Sequence, residues 1–318
     1  MSHDDYGAVI PAAGVSSQTG RFKPMLPVGD ETIIRRVIHI LQKTGISRIV
    51  VIGGYHYQEL KKHLDDLDID VIYNKDFGKT DMLYSIALGL KRLQKECSKI
   101  VFCPGDMSVI DSGTLEKIIA SDGDVVIPTY NGHAGHPIML SRSVFPTIIS
   151  YDGKNGLRGA LDSFPGVCKN IPVNDEGILM DLNYRKDYEE MLRKIEVKTG
   201  EPTKLSLDIN IGFRTDSLIF DTRTAAFLEL LDITGSMSAA CHAMNLSYTK
   251  CWNMINTIES KMGVKVLSRI TGGKSGGGST LTDEGRELLT NYIKIQNELN
   301  ETGRKLFQKY FETENSHN

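Results

Sequence analysis

The pattern of apolar and polar positions predicts an α/β architecture for the first two thirds of the chain. From Tyr6 to about Lys198, short apolar runs alternate with stretches whose apolar positions recur three or four residues apart. Nearly unbroken apolar strands alternating with helices are typical of βαβ units in a sheet covered on both faces. The pattern therefore predicts a doubly wound, mostly parallel α/β domain over residues 1–200. Its successive runs are GAVI, ETIIRRVIHILQKTG, RIVVIGG, YQELKKHL, DVIYN, MLYSIALGLKRL, KIVFC, GTLEKIIA and DVVIP.

After Asp221 the pattern becomes largely helical, which predicts a second domain over residues 201–318. The stretch EPTKLSLDINIGF before it is expected to be a connector or a small β element. An apolar run, VKVLSRI, and a glycine-rich loop, TGGKSGGGS, precede the last helix. Helices are predicted over 222–233, 236–244, 247–262 and 282 to about 311.

Composition narrows the class of protein. The 318 residues suffice for about two domains, and the 40% hydrophobic and 24% charged fractions exclude a disordered or fibrous chain. The net charge of −3 means that any nucleic-acid surface must be a local patch. Five scattered cysteines without zinc-ligand spacing are typical of reduced thiols. With no basic leader and no apolar stretch near the roughly 20 residues that span a bilayer, we expect a cytoplasmic protein with no membrane partner.

The loop after the first strand is a candidate phosphate site. Small residues in this loop let the backbone approach a ligand, exposed N–H groups bind phosphate, and Lys23 supplies a compact positive charge. The spacing fits neither a Walker A loop nor the G-x-G-x-x-G fingerprint. An ordinary strand-to-helix turn with an exposed lysine is the alternative. The candidate nucleotide-binding residues are Ala12, Ala13, Gly14, Gly20 and Lys23.

This loop also carries a family resemblance. The segment 11–27, PAAGVSSQTGRFKPMLP, resembles the A-A-G-x-S-x-R-M-G-x-x-K-x-L-L-P signature of nucleotidyltransferases of the molybdenum-cofactor cytidylyltransferase type. Four later blocks resemble the same family in the same order, at 81–90, 105–106, 135–137 and 178–187. The resemblance implies a nucleotide-diphospho-sugar transferase-like, Rossmann-type fold. It also implies transfer of a nucleoside monophosphate, CMP from CTP being favoured, to a molybdopterin-type phosphate acceptor with release of pyrophosphate.

Two positions depart from that signature. Gln18 stands where the family usually has arginine, and Thr19 where it often has methionine. Loss of a guanidinium beside a triphosphate removes a charge-assisted contact, often a bidentate one. The departure at Gln18 therefore bears on nucleotide affinity or turnover.

The resemblance assigns the metal and catalytic residues. Asp106 follows the strand KIVFC, at the edge where doubly wound sheets bind ligands. It is implied to be a Mg²⁺ ligand and, with Lys23, a catalytic residue; an ordinary turn aspartate is the alternative. One or two carboxylates plus substrate phosphates suffice for Mg²⁺. Asp181 and Asn183 are expected at another strand end, and strand alternation favours Asn183 as the second metal ligand.

Two further residues are candidates for substrate contact. His136, in the block Gly135-His136-Pro137, is implied to lie beside the acceptor, whereas a histidine that fixes a strand entry is the alternative. Ser85 lies in the helix that Asp81 opens, and its first turn could face the nucleotide. The family more often has glycine and serines in that first turn.

The second domain shows the spacing of a helix-turn-helix. Between Tyr248 and Thr280 there are five basic residues and one acidic residue, a local net charge of +4 that attracts phosphate. The first turns of the recognition-type helix are where side chains meet base edges, and a lysine in the glycine-rich wing could follow the DNA backbone. A mere packing motif is the alternative. The candidate DNA-binding residues are Tyr248, Thr249, Lys250, Asn253 and Lys274.

This region resembles the winged helix-turn-helix of the molybdate-responsive ModE-type regulators. The run S-Y-x-x-x-W followed by T-G-G-K-x-G-G-G-x-x-L-T carries the likeness. The molybdate-binding domain that normally follows in those regulators is not expected in this chain. An apolar stripe on the last helix is suited to pairing with a second subunit, so a homodimer on a two-fold DNA site is expected. The stripe consists of Leu288, Tyr292, Ile295, Leu299, Leu306 and Tyr310.

The residues leave three hypotheses for function. The first is an active transferase joined to a DNA-binding regulatory domain. The second is a molybdenum-linked transcription regulator whose degenerate transferase fold senses a ligand; Gln18 favours it, while Lys23 and Asp106 count against it. The third keeps the transfer chemistry with another acceptor, such as a sugar phosphate or phosphocholine.

Overall fold

The computed structural model describes residues 5–14, 22–107, 109–152, 154–180, 182, 185–199, 205, 207–270 and 278–312. The described residues up to Thr199 belong to an N-terminal unit, and those from Leu205 onward to a C-terminal unit. None of the described helices combines the length and apolar character that crossing a bilayer requires.

The N-terminal unit is built on an eight-stranded sheet, and two short strands, β2 and β3, pair separately. The strands are β1 (Tyr6–Ala12), β2 (Pro27–Val28), β3 (Glu31–Thr32), β4 (Arg48–Gly53), β5 (Asp70–Tyr73), β6 (Lys99–Phe102), β7 (Val125–Tyr130), β8 (His133–Ala134), β9 (Ile138–Ser141) and β10 (Cys168–Pro172). The main order is β10-β7-β9-β6-β1-β4-β5, and β8 pairs with β7. Strand β9 runs antiparallel to β6 and β7, whereas the pairs β1–β4, β1–β6, β4–β5 and β7–β10 are parallel. The predicted mostly parallel sheet is confirmed.

Helices cover both faces of this sheet. They are α1 (Ile33–Lys43), α2 (Tyr57–His63), α3 (Met82–Leu93), α4 (Ser112–Ala120), α5 (Phe145–Ser150), α6 (Gly156–Asp162) and α7 (Arg185–Thr199). Successive residues of a strand point to opposite faces. In β1, Ala8 and Ile10 therefore join the core that contains Val37 and Leu41 of α1, while Val9 joins the core beneath α3. Gly89 lets α3 approach closely, because a Cβ there would lie 2.4 Å from Val9 Cγ1.

The C-terminal unit contains a helix-turn-helix followed by a two-stranded wing. Its elements are β11 (Gly212–Arg214), β12 (Leu218–Asp221), α8 (Thr222–Thr234), α9 (Met237–Ala243), α10 (Tyr248–Met262), β13 (Leu267–Ile270), β14 (Gly278–Leu281) and α11 (Asp283–Phe307), after which a π-helix covers Gln308–Glu312. A side chain accepts a backbone N–H at each helix start: Asp221, Ser236, Ser247 and Thr282. These local caps are why the sequence pattern predicted the helices to within a few residues.

Two predictions about elements are wrong. The strand expected to end just before Asp181 does not form over residues 178–180. Glu176–Leu179 is instead a 3-10 helix, because Asp175 accepts the N–H of Gly177 and fixes a tight turn. The apolar stripe on α11 is not all exposed. Tyr292 is fully buried and donates a hydrogen bond to Ile211 O at 2.9 Å, so it belongs to the core of its own unit.

Candidate active site

Two neighbouring parallel strands, β1 and β6, bring the candidate loops together at their carboxyl ends. Cys103 N donates to Val9 O at 3.1 Å, and Gly105 N donates to Pro11 O at 3.1 Å, so the hydrogen bonding continues beyond β6. A Cβ on Gly105 would lie 3.1 Å from Pro11 O. The backbone before Asp106 is thereby held against the end of β1.

Lys23 and Asp106 face each other across this edge. Lys23 Nζ lies 3.3 Å from Asp106 Oδ2, and their side chains are 17% and 23% exposed. Lys23 begins a short 3-10 helix, Lys23–Met25, that buried Pro24 anchors. A cation and a carboxylate, both partly shielded from water, can together hold a phosphate group and a divalent cation.

The residues Ala12, Ala13 and Gly14 lie at the carboxyl end of β1. Ala12 is buried, Ala13 is half-buried and Gly14 is exposed. Ala13 O accepts a hydrogen bond from Tyr55 N at 3.2 Å, which ties this loop to the end of β4. Gly54 permits the approach, because a Cβ there would lie 2.9 Å from Ala13 Cβ.

An aromatic cluster beside this loop was not predicted from the sequence. Phe22 packs edge-on against Tyr55, with ring centroids 6.2 Å apart, and stacks on His56 at 5.9 Å. Tyr55 and His56 contact each other at 4.0 Å. The available signal was the Gly53-Gly54-Tyr55 sequence at the end of an apolar strand, where ligand-binding loops occur. The cluster gives the site an aromatic wall.

The placement of Ser85 argues against its predicted contact with a nucleotide. Ser85 is 2% exposed, and its Oγ accepts a hydrogen bond from Asn74 Nδ2 at 3.2 Å. Asn74 also donates to Thr80 Oγ1 at 3.2 Å. The hydroxyl of Ser85 therefore belongs to an interior network that holds the residues after β5 against α3.

His136 lies in a segment that is packed tightly by its neighbours. Its backbone N donates to Ile178 O at 2.9 Å, and its ring meets Phe102 edge-on with centroids 5.1 Å apart. A Cβ on the preceding Gly135 would lie 2.4 Å from Ile178 O, so glycine is required there. The peptide bond to Pro137 is cis. His136 thus stands near the end of β6 that leads to Asp106.

Several predicted residues lie outside the described part of the chain: Gln18, Thr19, Gly20, Asp181, Asn183 and Lys274. Within the described ranges there is no group of three or more His, Cys, Asp or Glu side chains arranged to hold a metal. Among the described residues, Asp106 offers a hard carboxylate oxygen at the strand end, beside the Lys23 cation that would favour phosphate. This donor set fits Mg²⁺ or Mn²⁺ bound jointly with substrate phosphates, rather than a closed protein cage.

Cys103, three residues before Asp106, is not suited to act as a nucleophile. Complete burial raises the pKa of its thiol far above the ordinary value, and the charge of Asp106 raises that pKa further. The thiolate is the reactive form of cysteine. Cys103 is therefore a structural residue of the core.

In the C-terminal unit, four of the five candidate DNA contacts are described. Tyr248, Thr249, Lys250 and Asn253 are all exposed on the first two turns of α10. Ser247 Oγ caps this helix by accepting the N–H of Lys250 at 3.4 Å. The helix thus presents these four side chains to solvent.

Comparison with known proteins finds a different relative for each unit. Residues 8–167 match the model of the MobA-like NTP transferase domain. The molybdenum cofactor cytidylyltransferase of Escherichia coli (strain K12) is 29% identical over 184 residues, which cover 57% of this chain and 92% of that protein. The molybdenum transport protein ModE of Azotobacter vinelandii is 32% identical over 93 residues, which cover 29% of this chain and 33% of that protein. The match to ModE lies in the C-terminal part of this chain.

A similar fold occurs in a solved structure. Rv0371C of Mycobacterium tuberculosis H37Rv, determined as a complex with manganese, superposes with a TM-score of 0.50 at 23% identity and covers 59% of this chain and 98% of its own. At this identity the likeness extends to the fold alone. The predicted resemblance to a transferase family and to ModE-type regulators is confirmed.

Proposed function

Because the chain belongs to the family of MobA-like NTP transferase domains, we propose that its N-terminal unit transfers CMP from CTP to a molybdopterin-type phosphate acceptor. The observation that carries the proposal is the Lys23–Asp106 pair, 3.3 Å apart at adjoining strand ends. The similarity to the molybdenum cofactor cytidylyltransferase of E. coli, which covers 92% of that protein, supports the choice of CTP and of this acceptor.

The reaction requires the protein to position the two substrates and to offset the charge on their phosphates. An acceptor phosphate oxygen attacks the α-phosphorus in line, a new P–O bond forms, and the bond to the β-phosphate oxygen breaks to release pyrophosphate. Lys23 and the backbone N–H groups of Ala13 and Gly14 offset charge that develops on the phosphates. Asp106 and Asn183 would hold the divalent cation, which supplies further neutralisation of charge. His136 would contact the acceptor. The rings of Phe22 and Tyr55 would limit access of water beside the loop.

A pyrophosphate-release assay tests the assignment. The full chain with Mg²⁺ and molybdopterin should release pyrophosphate faster from CTP than from GTP, ATP or UTP. Lys23→Ala and Asp106→Asn should each lower the rate by about 100-fold or more, because each removes a charge that acts on the reacting phosphates. Asp122→Asn, an exposed substitution, is the matched control. Equal rates for Asp106→Asn and the wild type would exclude this site.

The same assay distinguishes an active enzyme from a ligand sensor, the alternative that Gln18 favours. Gln18→Arg should raise turnover if the chain is a weakened enzyme, because the guanidinium restores a contact with the triphosphate. Binding of nucleotide without turnover in either form would favour a ligand sensor. Turnover with a sugar phosphate but not with molybdopterin would show that the acceptor is a sugar phosphate.

For the C-terminal unit we propose DNA binding as a homodimer. The supporting observations are the similarity to ModE and the exposure of Tyr248, Thr249, Lys250 and Asn253 on one helix. Lys274 would contact the backbone from the wing. Selection from a randomised duplex pool should enrich a two-fold sequence with the full chain, and Asn253→Ala should lower enrichment by reducing base readout. Absence of any enriched sequence would contradict sequence-specific binding.

A further inference from the structure

The C-terminal unit contains a cavity of about 400 Å³ next to α10. It is lined by side chains from three elements: β12, the start of α8 and one face of α10. The lining residues are Leu218, Ile219, Asp221, Arg223, Thr224, Lys250, Asn253, Met254 and Thr257. Two of them, Lys250 and Asn253, are proposed DNA contacts.

Arg223 is the lining residue whose hydrogen bonding is incomplete. Its Nε is buried and has no hydrogen-bond partner among the described residues. A buried donor without an acceptor is destabilising, so such groups in native proteins mark bound water, ions or ligands. The guanidinium is half-buried and lines the cavity, so an anionic oxygen that enters the cavity could satisfy it.

The neighbouring carboxylate already has donors of its own. Asp221 Oδ1 accepts hydrogen bonds from Thr224 N and Thr224 Oγ1, both at 2.8 Å. The N–H of Thr224 therefore donates to Asp221 and is not available to donate to a ligand in the cavity. A ligand in the cavity would therefore be bound by the lining side chains.

The charge and shape of the cavity favour a phosphate. Arg223 and Lys250 contribute two positive charges against the single negative charge of Asp221. Asn253 adds a neutral donor from the same face of α10 as Lys250, because residues three apart lie on one face of a helix. The hydroxyl of Thr257 already donates to Asn253 O at 2.8 Å, so it is not counted as a donor to a ligand. Arginine presents a planar fork of donors that matches two oxygens of a phosphate.

We propose that Arg223, with Lys250, binds a backbone phosphate of DNA in this cavity. The inference rests on the proposed DNA binding of the C-terminal unit and extends it to a residue of α8, outside the recognition-type helix. A phosphate seated between α8 and α10 would fix the orientation of α10 on the duplex, while base edges are read by other side chains.

The test is the salt dependence of DNA binding by the full chain, measured by fluorescence anisotropy with a labelled duplex of mixed sequence. The proposed homodimer carries two copies of Arg223. Loss of one phosphate contact per protomer therefore makes the slope of log K against log[NaCl] shallower by about 0.9 for each protomer, or about 1.8 for the dimer. Arg223→Gln should show this change together with a roughly tenfold weaker affinity at low salt. Arg223→Lys should keep the slope of the wild type, because it retains the charge, and should bind with intermediate affinity because it lacks the fork.

Arg304→Gln is the matched control, since Arg304 is exposed on α11 and lines no part of the cavity. Melting temperatures establish that each variant is folded. If Arg223→Gln does not fold, the comparison of Arg223→Lys with the wild type provides the test. For Arg223→Lys, an unchanged affinity as well as an unchanged slope would overturn the assignment.

Three outcomes separate the proposals. A wild-type chain that binds DNA while Arg223→Gln and Arg304→Gln show the same slope would overturn the Arg223 assignment alone. A wild-type chain that binds no duplex would overturn both this assignment and the proposed DNA binding. Inorganic phosphate that raises the melting temperature of the wild type but not of Arg223→Gln, with equal slopes on DNA, would assign the cavity to a free oxyanion and overturn the DNA contact.

Discussion

A single buried carboxylate, Asp175, organises the segment that leads towards the predicted second metal ligand. Asp175 is 5% exposed. Its Oδ2 accepts the N–H of Asp111 at 2.8 Å, and its Oδ1 accepts the N–H of Gly177 at 3.0 Å. The start of α4 and the 3-10 helix Glu176–Leu179 are therefore joined through one side chain.

Asp175→Ala should lower the free energy of unfolding of the N-terminal unit by about 2–4 kcal/mol, because two backbone donors lose a charged acceptor in the interior. Chemical denaturation of the full chain, followed by near-UV circular dichroism, measures this change. Asp122→Ala, at an exposed position, should have little effect. Equal destabilisation by the two substitutions would show that Asp175 carries no special structural role.

The five cysteines differ sharply in accessibility. Cys168 is exposed, whereas Cys97, Cys103, Cys241 and Cys251 are buried. Loss of hydration is the main cause that raises the pKa of each of the five thiols above the ordinary value of 9.0; for the four buried thiols it is due to burial, and for Cys168 to partial shielding by its neighbours. For Cys168, the nearby carboxylates Asp124 and Asp162 raise the pKa further.

Titration with Ellman's reagent should therefore modify one thiol of the native chain rapidly, and all five only after denaturation. Because the thiolate reacts and the pKa of Cys168 is raised, the rate at Cys168 should continue to increase as the pH approaches and passes 9.0. Cys168→Ser should abolish the fast phase. A fast phase that persists in Cys168→Ser would contradict the placement of the other four thiols.

At the scale of elements, Glu259 joins α10 to the wing. Its Oε1 accepts the N–H groups of Val266 and Leu267 at 3.0 and 3.3 Å, and its Oε2 lies 2.6 Å from Lys265 Nζ. Burial of Glu259 acts to raise its pKa, but the hydrogen bonds from Lys265 and the two backbone groups outweigh burial, so the pKa is lowered. The carboxylate thus stabilises the connection between α10 and β13 when it is ionised.

Glu259→Ala should destabilise the C-terminal unit by about 2–3 kcal/mol through loss of these charged hydrogen bonds. Because the pKa is lower in the folded state, the stabilisation is present above the unfolded pKa of 4.5 and is lost as the pH falls through the folded pKa. Thermal unfolding of wild type and variant as a function of pH measures both effects. Glu298→Ala, exposed on α11, is the control. A difference that stays constant down to the most acidic pH tested would contradict the role of the ionised form.

Elements were predicted well where their signals are local. The helices of the C-terminal unit begin at caps such as Ser236 and Ser247, whose residue type marks a helix start in the sequence itself. The 3-10 helix Glu176–Leu179 was missed because its anchor, Asp175, also binds Asp111, 64 residues away. Asp106 was predicted because it follows a strand, and Lys23 because it lies in the region after β1; the structure places their side chains 3.3 Å apart. Asn74, which holds Ser85, carries no motif.

At the scale of the whole molecule, α11 leaves an apolar surface uncovered. Ile295, Leu299, Leu306 and Tyr310 are 41%, 44%, 49% and 61% exposed, and their spacing places them along one side of the helix. Tyr292, by contrast, packs inside its own unit. The exposed residues define the surface that the proposed homodimer would cover.

Sedimentation of the full chain should therefore show a dimer, and Leu299→Asp combined with Leu306→Asp should shift it to a monomer by placing charges in the apolar contact. Asn297→Asp, exposed on the same helix, should leave the dimer intact. A wild-type chain that sediments as a monomer at micromolar concentration would contradict the proposed pairing.

The central claim is that the carboxyl ends of β1 and β6 hold a nucleoside triphosphate together with a divalent cation, through Lys23 and Asp106. Isothermal titration of CTP into the full chain, with Mg²⁺ or Mn²⁺ and then with EDTA, tests it without knowledge of the acceptor. The predicted result is metal-dependent binding by the wild type and by Asp122→Asn, and affinity at least about tenfold weaker for Asp106→Asn and Lys23→Ala. Binding that is equally tight in Asp106→Asn, or no binding of CTP by the wild type with either metal, would contradict it.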